Sequence, residues 1–268
     1  DHPQLITQLA LTEIVRGHGE RAQRRLDAAV DRGVADAELL LLRGRLNLER
    51  GALETARVDL AEVYRTRPTL PRALGLLVRT LVALKDKTAA IAALTRAEKF
   101  GLLGPNRRAM LAELQLLAGD RAGALRNLKL AMRQGGRTDN LKRNLALLLA
   151  DEENEQERAR ELANQLALTQ RFDPDAWDLL GYAYLRLDVP VTAEKMFRRA
   201  LDLNAAAEGP ARPGSHYRLG LALEALGRSE EAAAAFERAG ALNDRFLRKP
   251  GQELPAPVHD LILTEAAS

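Results

Sequence analysis

Ala22, Ala56, Ala90 and Ala124 recur at a spacing of 34 residues. A fixed period of this length describes a stack of copies of one supersecondary unit, each packed only against its neighbours, and not one globular core. Other landmarks keep the beat. Leu26, Leu60, Leu94 and Leu128 follow each alanine by four residues, and Ala29, Val63, Ala97 and Ala131 by seven. Gly17, Gly51, Lys85 and Gly119 precede it by five. The period slips by one at Ala159. It recovers at Ala193 with Phe197 and Ala200, then resumes after an insertion at Ala232 with Phe236 and Ala239. Seven copies result.

Apolar residues at i, i+4 and i+7 form one stripe on a helix. A second apolar helix precedes each stripe, as at Leu74, Leu77 and Leu81. Small alanines let the two helices approach closely. Glycine between them suits a left-handed turn without a Cβ clash. Pro68, Pro105 and Pro174 mark boundaries between copies, where a missing N–H costs least.

Together these residues resemble the tetratricopeptide repeat family, whose pattern runs Trp–x2–Leu–Gly–x2–Tyr, then Ala–x3–Phe–x2–Ala, then Pro. Copy six matches best, with Trp177, Leu180, Gly181, Tyr184, Ala193, Phe197 and Ala200. Copy seven carries Leu219, Gly220, Gly227, Ala232, Phe236 and Ala239, and copy two Gly44, Gly51, Ala56 and Pro68. The remaining copies keep mainly the second-helix stripe. The resemblance implies an all-α, right-handed superhelical α-solenoid of antiparallel helix pairs. Its repeats fall at about 3–36, 37–70, 71–104, 105–138, 139–173, 174–207 and 213–246. Residues 247–257 then read as a Pro- and Gly-containing linker and 258–268 as a short capping helix. Glu208–Gly214 reads as a loop, with Ser215 as N-cap of the next helix.

Similar proteins line a concave groove with their first helices and bind a peptide, helix or loop there. The inward positions give a candidate groove of Leu41, Arg45, Arg72, Arg79, Asn106, Glu113, Asn140, Arg143, Leu147, Asp178, Tyr182, Tyr217 and Leu221. Apolar residues mixed with arginine suit a partner with a hydrophobic ridge and carboxylates. A carboxylate clamp of the chaperone-tail type is not expected. Copy one offers Thr7 and Leu11 at two of its positions, and copy five places Leu147 where an Asn is required.

Charge is uneven along the chain. Residues 71–138 carry 13 basic and 4 acidic residues, while 139–173 carry 5 basic and 8 acidic. The basic belt of copies three and four suits an acidic partner or a polyanion, either nucleic acid or acidic polysaccharide. Few aromatic residues are present for base stacking.

Enzymatic chemistry is not indicated. His2, His18, His216 and His259 are scattered without metal-ligand spacing, cysteine is absent, and no phosphate loop or nucleophile elbow occurs. We therefore expect no catalytic residues, metal or cofactor. No run of about 18 apolar residues suggests a membrane span. The chain opens on Asp1 and not Met, which suggests a processed protein or a segment of a longer one. Arginine far outnumbers lysine, which suggests a bacterial source. The expected role is a protein-binding scaffold in an envelope assembly serving exopolysaccharide export, pilus biogenesis or secretion. That favours the periplasm over the cytoplasm, and a cytoplasmic regulatory adaptor is the alternative.

Overall fold

The computed structural model describes residues 2–246, so the expected linker and capping helix at 247–268 lie outside the described residues. Among the described residues every regular element is helical. The chain divides into two compact units, Asp1–Asn127 and Leu128–Ser268.

The first unit contains α1 (Pro3–Val15), α2 (Gly19–Asp31), α3 (Ala37–Glu49), α4 (Leu53–Thr66), α5 (Pro71–Ala83), α6 (Lys87–Glu98) and α7 (Pro105–Leu117). The helix α8 (Arg121–Arg133) begins here and ends in the second unit. That unit continues with α9 (Asp139–Leu149), α10 (Gln156–Thr169), α11 (Pro174–Arg186), α12 (Pro190–Ala206), α13 (Pro213–Ala225) and α14 (Ser229–Leu242), then a 3-10 turn at Asp244–Phe246.

Each second helix packs back on its first, as α2 does on α1, α4 on α3, α12 on α11 and α14 on α13. The stripe explains why. Ala22, Leu26 and Ala29 of α2 are buried together with Ile6 and Ala10 of α1 and with Leu39, Leu42 and Leu46 of α3. Ala56, Leu60 and Val63 of α4 join Ala73, Leu74 and Leu77 of α5 and Ala90, Leu94 and Ala97 of α6 in one cluster. These stripes of the first unit therefore face both their own first helix and the next one, and burial spreads from copy to copy within it.

Closest approach falls at one glycine per well-formed copy. A Cβ built on Gly44 would lie 2.7 Å from Leu60 Cγ, and one on Gly181 2.7 Å from Phe197 Cε1. The turn inside each copy reverses through a residue with positive φ. Glycine fills it at Gly17, Gly51, Gly119 and Gly227, but Lys85, Asn154 and Asp188 take the same slot at φ near 60°. Proline opens α1, α5, α7, α11 and α13, where its fixed φ suits the first helical position and its missing N–H would have no intrahelical acceptor.

The boundary before α13 differs from the sequence expectation. The helix starts at Pro213 with Arg212 as N-cap, so Gly214 and Ser215 lie in its first turn. Ser215 is buried and cannot cap it. Helix α12 runs on to Ala206, and the connection reverses through Glu208 at φ 50°. Asn204 fastens it, donating to the Pro210 carbonyl at 3.0 Å and accepting from Arg212 Nε at 2.9 Å.

Candidate protein-interaction surface

First helices lie beside one another in each unit: α1, α3 and α5 in the first, and α9, α11 and α13 in the second. The thirteen sequence-selected positions fall on these helices and on α7, and the two units treat them differently.

In the first unit the row is open. Arg72, Arg79 and Asn106 are exposed, Arg45 and Glu113 are half-buried, and Leu41 is buried. Gly75 stands between Arg72 and Arg79 on α5, and a Cβ there would meet nothing within 4 Å. Val82, one turn further on, is exposed too, as is Met110 on α7. Arg45 is held by Glu49 at 3.3 Å. Arg72 and Arg79 have no hydrogen-bond or ion-pair partner among the described residues. The patch therefore carries two unneutralised guanidinium groups beside small and apolar side chains, which suits a carboxylate-bearing, partly apolar ligand.

The basic belt is not all free charge. Arg96 lies 5.2 Å from the Tyr64 ring centroid. Arg107 donates to the carbonyls of Leu102 and Pro71. Arg108 is buried and donates to Glu98 at 2.8 Å and Asn127 at 3.2 Å.

In the second unit the row is largely closed. Asn140 is exposed and Leu221 half-buried, whereas Arg143, Leu147, Asp178, Tyr182 and Tyr217 are all buried. Arg143 Nη2 donates to Asp173 Oδ2 at 2.7 Å and to Gln170 Oε1 at 3.1 Å, which ties α9 to the start of α11. The Tyr182 hydroxyl donates to Asp151. Asp178 accepts from Arg218 Nη2 at 2.5 Å and Nε at 3.3 Å, joining α11 to α13. Asp175 accepts from Arg212 at 2.5 Å. The Tyr217 ring packs against Phe236 and Phe246.

The acidic stretch after α9 is similarly engaged. Asp151 also meets Arg186 Nε at 3.2 Å, and Glu155 accepts from Lys129 at 2.8 Å. The Lys129 hydrogen bond holds the Glu155 carboxyl below its ordinary range against the opposing effect of burial.

Sequence reasoning passed over Arg218, although a signal existed. Its slot on the first helix holds Leu42, Leu76, Met110 and Leu179 in four other copies and the uncharged Gln8 and Asn144 in two, so it is mostly apolar and otherwise never charged. A charge in an apolar slot calls for a buried counter-charge, and Asp178 supplies it. Among the described residues no group of three or more His, Asp or Glu side chains could hold a metal ion, and no helix is long and apolar enough to cross a membrane.

Comparison with known proteins agrees with this architecture. Tetratricopeptide repeat models match residues 7–71 and 213–246. No curated protein sequence matches. Among solved structures, a tetratricopeptide repeat protein from Parabacteroides merdae aligns over 91% of this chain and 97% of its own, at 13% identity and a TM-score of 0.56. YrrB, a repeat protein with an unusual peptide-binding site, aligns over 75% of this chain and 97% of its own, at 17% identity and a TM-score of 0.60. PilW, a type IV pilus biogenesis factor, aligns over 85% of this chain and 97% of its own, at 12% identity and a TM-score of 0.55. At these identities the likeness shows the fold alone. Tetratricopeptide repeats are thus matched near both ends, at residues 7–71 and 213–246, with paired helices of the same kind between them.

Proposed function

We propose that the chain is a non-enzymatic scaffold that binds a protein or peptide partner across the first-helix face of its first unit. The observation that carries this is the open row Arg72, Gly75, Arg79 and Val82 on α5. Two uncompensated arginines beside apolar surface favour a segment that alternates carboxylates with apolar side chains. Arginine can grip a carboxylate in two parallel hydrogen bonds, and a pocket-filling apolar anchor adds the burial term. Family-wide use of this face for peptides and YrrB's peptide-binding site support the reading. In the second unit, Asn140 and Leu221 are the selected positions that retain exposed surface.

Peptide display tests this. Peptides selected on the chain should be rich in Asp, Glu and large apolar residues. Arg72→Glu with Arg79→Glu should weaken them at least about tenfold, equivalent to about 1.4 kcal/mol, without moving the melting temperature. Binding that ignores both substitutions places the site elsewhere. A polyanion ligand for the belt of copies three and four would show itself as heparin binding that falls steeply with salt while no peptide is enriched.

We extend the proposal to a bacterial envelope assembly for exopolysaccharide export, pilus biogenesis or secretion. Support comes from the arginine-rich, lysine-poor composition and the fold likeness to PilW. Fractionation of cells producing the native protein decides between this and a cytoplasmic regulatory adaptor.

A further inference from the structure

The end of α10 carries large apolar side chains where every other copy is charged or small. Leu168 stands nine residues after its stripe alanine, Ala159. The same slot holds Asp31, Arg65, Lys99, Arg133, Asp202 and Ala241, and it is exposed in all seven copies. Packing of copy on copy therefore leaves this slot to solvent. Leu168 is 60% exposed there, and Phe172, four residues on in the connection between α10 and α11, is 82% exposed.

The connection that displays Phe172 is firmly held. Trp177 Nε1 donates to the Arg171 carbonyl at 2.9 Å, Gln170 Nε2 to Asp139 Oδ2 at 2.7 Å, and the Asp175 backbone N–H to Asp173 Oδ1 at 2.9 Å. These bonds also set the start of α9 and the Trp177 indole beside it. Three arginines flank the apolar pair. Arg171 precedes Phe172, Arg137 lies two residues before Asp139, and Arg199 stands 6.0 Å from the Trp177 ring centroid. None of the three reaches a carboxylate among the described residues. Arg137 finds the Gly136 carbonyl at 3.2 Å and Arg171 the Leu168 carbonyl at 3.5 Å. Exposed arginines elsewhere differ, since Arg65 pairs with Glu62 at 2.6 Å and Arg198 with Glu194 at 2.8 Å. The carboxylates at hand are engaged, Asp173 with Arg143, and Asp139 with Gln170 and Lys142.

We infer that Leu168 and Phe172, flanked by Arg137, Arg171 and Arg199, form a docking site for an anionic membrane surface. The two apolar side chains enter the headgroup–acyl boundary, and the guanidinium groups hold lipid phosphates, whose oxygens match their paired donors. Stable attachment to a bilayer surface takes two signals, and an apolar insertion beside a basic patch supplies both. Phe172 projects from its turn, so a protein partner would need a matching pocket where a bilayer needs none. A second copy docked face to face would set the same arginines against one another. This inference is independent of the peptide-binding reading, which uses the first unit.

Trp177 is the only tryptophan of the chain and lies in the patch, so its fluorescence reports on the site directly. The chain is titrated at low salt with vesicles of phosphatidylcholine containing phosphatidylglycerol. Trp177 emission should shift to the blue, and lipids brominated on their acyl chains should quench it. Vesicles of phosphatidylcholine alone should bind far more weakly. Leu168→Ser with Phe172→Ser should weaken binding at least about tenfold, because both side chains lose their burial in lipid. The melting temperature should stay put, since both are exposed in the folded chain. Arg137→Gln with Arg171→Gln should also cost about tenfold or more and remove much of the salt dependence. If the apolar pair of substitutions lowers the melting temperature, the arginine pair still gives the readout. The absence of a shift with anionic vesicles overturns the inference in favour of a protein pocket with an acidic rim. Binding that survives both pairs of substitutions overturns it as well. So does a chain that is dimeric by light scattering and becomes monomeric on Leu168→Ser with Phe172→Ser, since a second copy would then cover the patch.

Discussion

On α5, repeat positions two, five and nine are Arg72, Gly75 and Arg79, and both arginines stand in solvent with open space between them. On α11 the same positions are Asp175, Asp178 and Tyr182, and all three are bonded to other helices or connections of their unit. One repeat geometry thus serves two ends. Where the face is left unpaired, charge and surface remain for a ligand. Where it is occupied by buried polar pairs, the same side chains hold copy to copy, and substituting them reports on folding before it reports on binding. A mutational scan that treats all inward positions alike would confuse the two.

Removing Arg218 should give the largest contrast. The Arg218 and Asp178 side chains are 3% and 0% exposed. Arg218→Met leaves the Asp178 carboxylate buried without its partner, and breaking a buried pair from one side costs about 3–5 kcal/mol. Arg79→Met on the open face should stay within about 0.5 kcal/mol. Urea unfolding measures both. The double variant Arg218→Met with Asp178→Leu should recover much of the loss, because an apolar pair of similar volume carries no desolvation penalty. Equal costs for Arg218→Met and Arg79→Met would erase the distinction between the units.

Glycine gives a smaller effect of opposite sign in the two places. Gly181 sits under the Phe197 ring, so Gly181→Ala must push that ring aside and should cost about 1–3 kcal/mol. Gly75 lies inside α5 with nothing within 4 Å of its missing Cβ, so Gly75→Ala should raise stability by about 0.5–1 kcal/mol through helix propensity. Thermal melts decide both signs. A stabilising Gly181→Ala would mean the two helices of copy six approach less closely than the distances indicate.

Much of the fold was legible because the period and the stripe are repeated constraints. Ala22, Leu26 and Ala29 need no tertiary information to be placed on one helical face. The landmark five residues before each stripe alanine marked the turn even where glycine was absent, and Lys85 adopts the positive φ that its slot demands. The groove was less legible. Position in a repeat fixes where a side chain starts but not what it meets. Asp178 was selected as inward-facing, yet its partner lies 40 residues away, so its burial depends on an arginine in another copy. Ser215 shows the local limit. It has the chemistry of a cap, but Pro213 already fits the first helical position, and the helix begins earlier.

The smallest predicted effect again separates the units, through acid. In the first unit His2 and His18 are exposed. In the second, burial first and the nearby Arg238 charge second push His216 below its ordinary value of 6.5. A depressed folded-state value means that the unfolded chain takes up the proton more readily. Stability from this group is therefore complete above pH 6.5 and is lost as pH falls through that value toward the lower folded one. The carboxylates held low by cationic partners, Glu155 and Glu194 among them, act in a separate window beneath their ordinary 4.5. Hydrogen exchange followed from pH 7.5 to about 5 should thus show α13 and α14 losing protection while α3 to α5 hold theirs, after correction for intrinsic exchange. His216→Gln should flatten that loss and leave the region below 4.5 unchanged. If the variant keeps the full acid sensitivity of α13, some other group in the second unit carries it, and the contrast between the units rests on their buried ion pairs alone.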